Sequence, residues 1–277
     1  MSGEFQRSLG LELAGGKNSR SAVAVLDFFP RSERLIVSEI VSNRLHPAGD
    51  PLGDESLVAD LKEMARKSKG LAGLGVSGPI SLPPLFDPKK TPAAVKSEVQ
   101  WMSRLWESLE PKPRPFAHYL QRPSEVWLRH KTPDRFGIGD GLGSNCAPLA
   151  ARLNYLRKRL PSPLLETYPR GAVLRLVKSL GVHRSLATLH SDLERGVEMR
   201  EDFFRQLLKK VPRIFIYEGD LEAMILNLNQ FYAFVSALTV FLRAREQTDT
   251  APRGFPRSAT WIHLPKSNVD WDKALQG

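Results

Sequence analysis

The sequence predicts an α/β fold, a mixed sheet flanked by helices, and three observations carry that expectation. The first 41 residues hold three strand patterns in a row, separated by turn signals. An amphipathic helix pattern and a short apolar strand run follow, so the chain opens in the order βββαβ. Helical periodicity then dominates the C-terminal half.

Residues 6–14 are a leucine-rich strand, and Gly15-Gly16-Lys17-Asn18 is a turn signal of the hairpin kind. Residues 21–28 (SAVAVLDF) form the second strand. Past Pro30, residues 34–41 alternate Leu35, Val37, Glu39 and Val41 with Ile36, Ser38 and Ile40, which predicts a third strand. Residues 54–68 place Leu57, Val58, Leu61 and Met64 at helical spacing, with acids first and Lys/Arg last, as a helix dipole prefers. The apolar run 71–77 (LAGLGVS) suits a buried strand.

Residues 78–133 are proline-rich, with one helical stretch at 93–109, and read as an insertion on the edge of the sheet within a single domain spanning 1–277. A helix at 147–160 and a strand at 163–168 (PLLETY) come next. Residues 170–180, 184–210 and 221–245 each read as one helix, and strand signal returns only at 260–264. No internal repeat or low-complexity segment interrupts this order.

Apolar residues make up 42% of the 277 and charged residues 25%, the proportions of a folded protein with a substantial core. The first seven residues lack the apolar stretch of a signal peptide, and the longest apolar run, 231–242, is too short to span a bilayer. The expected location is therefore cytoplasmic, with no membrane partner. The single cysteine, Cys146, leaves no intramolecular disulfide or multi-cysteine zinc site to build, and its expected role is structural. A net charge of +10 favours polyanionic partners, nucleic acid first among them, although the basic residues are spread along the chain.

The loop 137–143 carries glycine at every second position, but it follows no strand and lacks the Lys-Ser/Thr of a phosphate-binding loop. It reads as a loop or lid. Gly15-Gly16-Lys17 could present amides and a cation to a nucleotide phosphate, with an ordinary hairpin turn as the simpler reading. Histidines 46, 118, 130, 183, 190 and 263 show no metal-pair spacing, and there is no Gly-x-Ser-x-Gly elbow. Trp101, Trp106 and Trp127 could anchor an oligomer, but their helical spacing favours core packing.

Carboxylates remain. Glu12 closes the first strand and Glu166 lies in the strand at 163–168. Two acids at the ends of central strands are a way to hold Mg²⁺ or Mn²⁺, hard cations that prefer oxygen ligands. The alternative for each is a solvent-facing or ion-paired side chain.

Several segments in order resemble domain-of-unknown-function family 429, predicted nucleases of ribonuclease-H-like fold. Leu9-Gly10-Leu11-Glu12-Leu13-Ala14-Gly15-Gly16 is similar to the family's opening strand, and Gly75-Val76-Ser77-Gly78-Pro79-Ile80-Ser81-Leu82-Pro83 to its second motif. Arg122 to Arg129 (RPSEVWLR) resembles a segment in which an acid precedes arginine by four residues, here Glu125 and Arg129. Glu166-Thr167-Tyr168-Pro169 matches Glu-x-Tyr-Pro, residues 231–239 resemble the last family helix, and 261–265 its closing strand.

The resemblance implies a ribonuclease-H-like mixed sheet and a four-carboxylate metal site, of which Glu12 and Glu166 remain while Ser77 and Tyr232 replace acids. Lys17, Glu125 and Arg129 would support it, and Glu125, Glu218, Asp220 and Glu222 are candidate substitute ligands. Because two metals must neutralise both attacking and leaving oxygens, two carboxylates imply a degenerate, noncatalytic nuclease-like domain that binds nucleic acid. An active Mg²⁺- or Mn²⁺-dependent nuclease or phosphohydrolase with a rearranged site is the alternative.

Overall fold

The computed structural model describes residues 5–14, 21–42, 53–68, 70–108, 116–131, 138–143 and 146–277. Lys17, the glycine turn around it and His46 lie outside this set. The chain runs β1 (Gln6–Glu12), β2 (Ala22–Phe29), β3 (Arg34–Ser42), α1 (Asp54–Arg66) and β4 (Gly70–Ser77), the βββαβ opening that the strand patterns predict. Next come α2 (Pro92–Trp106), α3 (Ala117–Leu120), α4 (Pro123–Lys131), α5 (Cys146–Leu156), β5 (Leu164–Thr167) and α6 (Pro169–Leu180). The C-terminal part holds α7 (Ser185–Leu189), α8 (Gly196–Lys210), β6 (Ile214–Ile216), α9 (Glu218–Leu226), α10 (Leu228–Ala244), β7 (Ile262–His263) and α11 (Trp271–Leu275).

The seven strands form one sheet in the order β6-β3-β2-β1-β4-β5-β7. β1, β2 and β3 pair antiparallel, and β4, β5 and β7 continue parallel from β1. The central order 3-2-1-4-5 is the ribonuclease-H-like topology. Its consequence for function is directional: β1, β4 and β5 all end at the same edge of the sheet, where open α/β sheets form their crevices.

Both faces are covered. On one, Leu57, Leu61 and Met64 of α1 and Leu153 and Leu156 of α5 close over Leu9, Leu11 and Val76. On the other, α10 lies against β1, β2 and β4, with α6 and α8 packed around it. That close approach depends on two register partners, Gly10 and Gly75. A Cβ on Gly10 would sit 2.0 Å from the Ala233 carbonyl oxygen, and one on Gly75 would sit 2.7 Å from Val240 Cγ2. Small residues on α10, Ala233, Ser236 and Ala237, complete the fit and fix where the helix begins relative to the strand ends.

Three expectations need correction. Residues 184–210 form two helices, because the Asp192 carboxylate accepts from the Glu194 and Arg195 amides at 3.0 and 2.9 Å and diverts the backbone into a turn before α8. Residues 221–245 also split, at Asn227, whose side chain accepts from the Asn229 and Gln230 amides and caps α10. The strand β6 appears where none was expected; at three residues it is too short for alternation to register.

No single helix among the described residues is long and apolar enough to cross a membrane; α9 and α10 pass only as a pair bent by 114°. Residues 78–133 hold more helix than expected and pack beside β7: Ser124 Oγ donates to the Thr260 carbonyl, and Ser258 Oγ donates to Glu98 at 2.7 Å. Trp106 is buried with Met102 and Val126, while Trp101 stacks edge-on against Phe255 at 5.2 Å. Both contacts lie inside the chain.

Candidate functional site

At the common carboxyl edge of β1, β4 and β5 lies a cavity of about 180 Å³. Glu12, Ser77 and Glu166 reach it from the three strands, Tyr232 from the second turn of α10, and Glu125 from the first turn of α4. Chain topology thus gathers Glu12, Ser77, Glu125, Glu166 and Tyr232 in a single place. The others are elsewhere. Arg129 pairs with Asp140 at 2.7 Å and does not line the cavity. Glu218, Asp220 and Glu222 ride on α9, at the opposite side of the sheet beside β6 and β3.

Glu12 is the last residue of β1 and is held by the last residue of β4, Ser77, whose hydroxyl donates to Oε2. Burial of the carboxyl raises its pKa from the ordinary 4.5 to about 8, against the opposing pull of the Ser77 hydrogen bond. At neutral pH this group is largely a protonated, uncharged acid.

Glu166 is stabilised differently. Its Oε1 accepts from Arg122 Nη2 at 2.5 Å, and its Oε2 accepts from Arg122 Nη1 at 2.7 Å and from the Ile80 amide at 3.1 Å. Arg122 also grips Glu125, donating from Nε at 2.8 Å and Nη2 at 2.5 Å to Oε1, and it places Nη1 3.3 Å from Ser81 Oγ. A guanidinium has five N–H donors, and five contacts engage them here. The Arg122 and Gly141 amides then occupy Glu125 Oε2 at 2.9 and 3.1 Å.

This cluster is dry. Arg122, Glu125 and Glu166 expose only 3, 2 and 2% of their surface, so each charge depends on its partners rather than on water. Burial works against the arginine's charge, but Glu125 and Glu166 together more than offset it and hold the guanidinium above its ordinary range. Burial pushes Glu125 up, with Arg122 pulling the other way. Local sequence permits the arrangement: Pro123 starts α4, so Arg122 precedes the helix and its side chain folds back on Glu125 in the first turn.

The glycine loop also has a definite role. A Cβ on Gly141 would come within 2.7 Å of Glu125 Oε1 and 3.0 Å of Arg122 Nε, so a side chain there would push against the Glu125–Arg122 pair. The Gly141 amide is already taken by Glu125, and Asp140 is tied to Gln121 and Arg129 at 2.8 and 2.7 Å. Residues 138–143 serve the carboxylate cluster rather than cradling a phosphate.

No family model, curated protein or solved structure matches the chain. The cavity must therefore be read from its own chemistry.

Tyr232 stands on α10 with its hydroxyl 3.1 Å from His190 Nε2. The other ring nitrogen lies 2.8 Å from the Ala187 carbonyl, which requires a proton on Nδ1, so Nε2 accepts from the tyrosine. Burial lowers the His190 pKa to about 4 and raises the Tyr232 phenol above its ordinary range; both groups are neutral at physiological pH. Cys146, at the start of α5, also faces the cavity, and burial raises its thiol pKa, which disfavours the nucleophilic thiolate. Arg170, exposed in the first turn of α6, lines the mouth.

Mg²⁺ or Mn²⁺ needs free carboxylate oxygens, and these residues do not fit one. Both oxygens of Glu166 are bonded to Arg122, Glu12 Oε2 accepts from Ser77, and Ser77 and Tyr232 bring no carboxylate. Among the described residues no group of three or more His, Cys, Asp or Glu side chains could hold a metal. The cation bonded to Glu166 is the guanidinium of Arg122. Sequence reading named the carboxylates but missed this residue, although its pairing with Glu125 at a separation of three was available as a signal.

Proposed function

We propose that this chain is a noncatalytic nuclease-like domain that binds nucleic acid, a relative of family 429 whose metal site has become an internal salt-bridge cluster. The observation that carries this reading is Arg122, held between Glu125 and Glu166 with its donors engaged. An organic cation there neutralises the carboxylate a metal would use, but it presents no open coordination position and cannot activate water as a bound metal does. The cavity retains hydrogen-bond donors, protonated Glu12 among them, and the exposed Arg170 at its mouth. Together with a net charge of +10, these features suit recognition of a polyanion without cleavage.

The test is fluorescence anisotropy of labelled single-stranded oligonucleotides in EDTA, and then in Mg²⁺ or Mn²⁺, with the same samples run on a denaturing gel. The reading predicts binding that needs no divalent metal and oligonucleotides that stay intact. Cleavage that depends on metal and disappears in Glu166→Gln would establish the active-nuclease alternative instead.

A further inference from the structure

Beyond the cavity, α6 carries Arg170, Arg175 and Lys178 and not one acidic residue. Arg170, Leu174 and Lys178 recur every four residues, so they share one face of the helix. Arg170 lines the mouth of the candidate site, whereas Leu174 and Lys178 line a second pocket of about 300 Å³. That pocket has an apolar floor, Leu174 and Val182, and a cationic rim drawn from three elements. Lys131 comes from the end of α4, Arg175 and Lys178 from α6, and Arg184 from the residue before α7.

Among the described residues no carboxylate lines it, and Arg175 Nη2 pairs with Asp249 at 3.3 Å beside it. The Nε of Arg175 is buried without a hydrogen-bond partner. Lys131 and Lys178 are both exposed; Lys131 sits 5.0 Å from the Trp127 ring centre and makes no ion pair among the described residues. Four cations around an apolar floor suit repeated phosphates joined to flat, apolar bodies. From Arg170 to Lys178 the helix advances about 12 Å at roughly 1.5 Å per residue, too far for a single phosphate group to bridge.

We infer that the outer face of α6 is a track for a single nucleic-acid strand, running from Arg170 at the cavity mouth to the cationic pocket of Lys131, Arg175, Lys178 and Arg184. This inference rests on the nucleic-acid reading above and adds the path of the strand to it. Basic grooves that track the backbone hold single strands without sequence preference, usually beside aromatic side chains on which the bases stack; here Leu174 and Val182 offer an aliphatic surface in that place.

The experiment measures affinity of a short fluorescein-labelled single-stranded oligonucleotide in EDTA across a salt series. Wild type is compared with the Lys131→Gln/Lys178→Gln double variant and with Lys209→Gln/Lys210→Gln, two exposed lysines at the end of α8. All three proteins are first matched for thermal unfolding.

The track predicts that the first variant binds about 10-fold more weakly, with a salt slope shallower by about 1.4, or about 0.7 for each phosphate that is no longer neutralised. The α8 variant should bind like wild type. Binding by wild type with an unchanged slope in the first variant, or equal weakening in both variants, overturns the track and leaves the nucleic-acid reading standing. No binding by wild type overturns that reading and the track with it.

Discussion

Glu12 and Glu166 reach the same cavity from β1 and β5, the two neighbours of β4, yet burial is tolerated in opposite ways. Among the described residues no cation is in hydrogen-bond contact with Glu12; Ser77 donates to it, and burial keeps it largely protonated. Glu166 stays paired with a guanidinium that also serves Glu125. The difference follows from what the flanking segments supply: β4 ends in a serine beside Glu12, whereas the turn before α4 brings an arginine to Glu166. A four-carboxylate site needs one metal-centred solution for all its acids. This cavity instead holds Glu12 and Glu166 in two separate ways, one dependent on pH and one built on an ion pair.

The largest expected effect comes from removing the shared cation. Arg122→Met leaves two buried carboxylates unpaired and should destabilise the fold by about 3–5 kcal/mol, measured by urea unfolding; a loss below about 1 kcal/mol would mean that Glu166 does not depend on the arginine. Glu166→Gln keeps the Arg122–Glu125 pair and should cost less, about 1.5–3 kcal/mol, the range for hydrogen bonds to a charged group. A cost equal to that of the arginine variant would show the cluster acting as one unit.

On the Glu12 side the effects shrink. Ser77→Ala removes one hydrogen bond and should cost about 1 kcal/mol; because that bond opposes burial, the Glu12 pKa should rise further, as read by ¹³C NMR of the carboxyl. Glu12→Gln mimics the protonated acid and should change stability at pH 7 by less than about 1 kcal/mol.

Its signature lies in pH dependence. The folded state holds the Glu12 proton more tightly than the unfolded chain does, so this contribution is complete below pH 4.5 and is lost as the pH rises to about 8. The slope cannot exceed about 1.4 kcal/mol per pH unit, one proton's worth. His190 and His263, each lowered to about 4 by burial, act in the opposite sense and lose their contribution as pH falls from 6.5 toward 4. Between pH 6.5 and 8 the glutamine variant should therefore show a flatter stability profile than wild type, and a profile of equal slope would place Glu12's titration elsewhere.

Much of this architecture was legible in the chain. Alternation in residues 34–41 and the periodicity of 54–68 reflect burial on one face, and they yielded β3 and α1 directly. The helix breaks at Asp192 and Asn227 were hidden because each depends on a side chain capturing backbone amides, which periodicity does not register. Glu12 and Glu166 were legible as acids at strand ends, Ser77 and Tyr232 through the motif resemblance, and the fold brings all four to one cavity. Arg122 was passed over because no helix was expected at 123–131 to bring Glu125 back to it, and its second partner, Glu166, lies 44 residues along the chain. Lys131 and Lys178, far apart in the chain, likewise come to one pocket only in the fold.

The most direct test is calorimetric titration of the wild-type protein with Mn²⁺ at pH 7, alongside Glu166→Gln. If Arg122 is the cation of this site, neither protein shows saturable metal binding. Saturable binding by wild type that disappears in Glu166→Gln would mean that Glu166 leaves Arg122 for a metal, and the account of a metal-independent, noncatalytic site would be wrong.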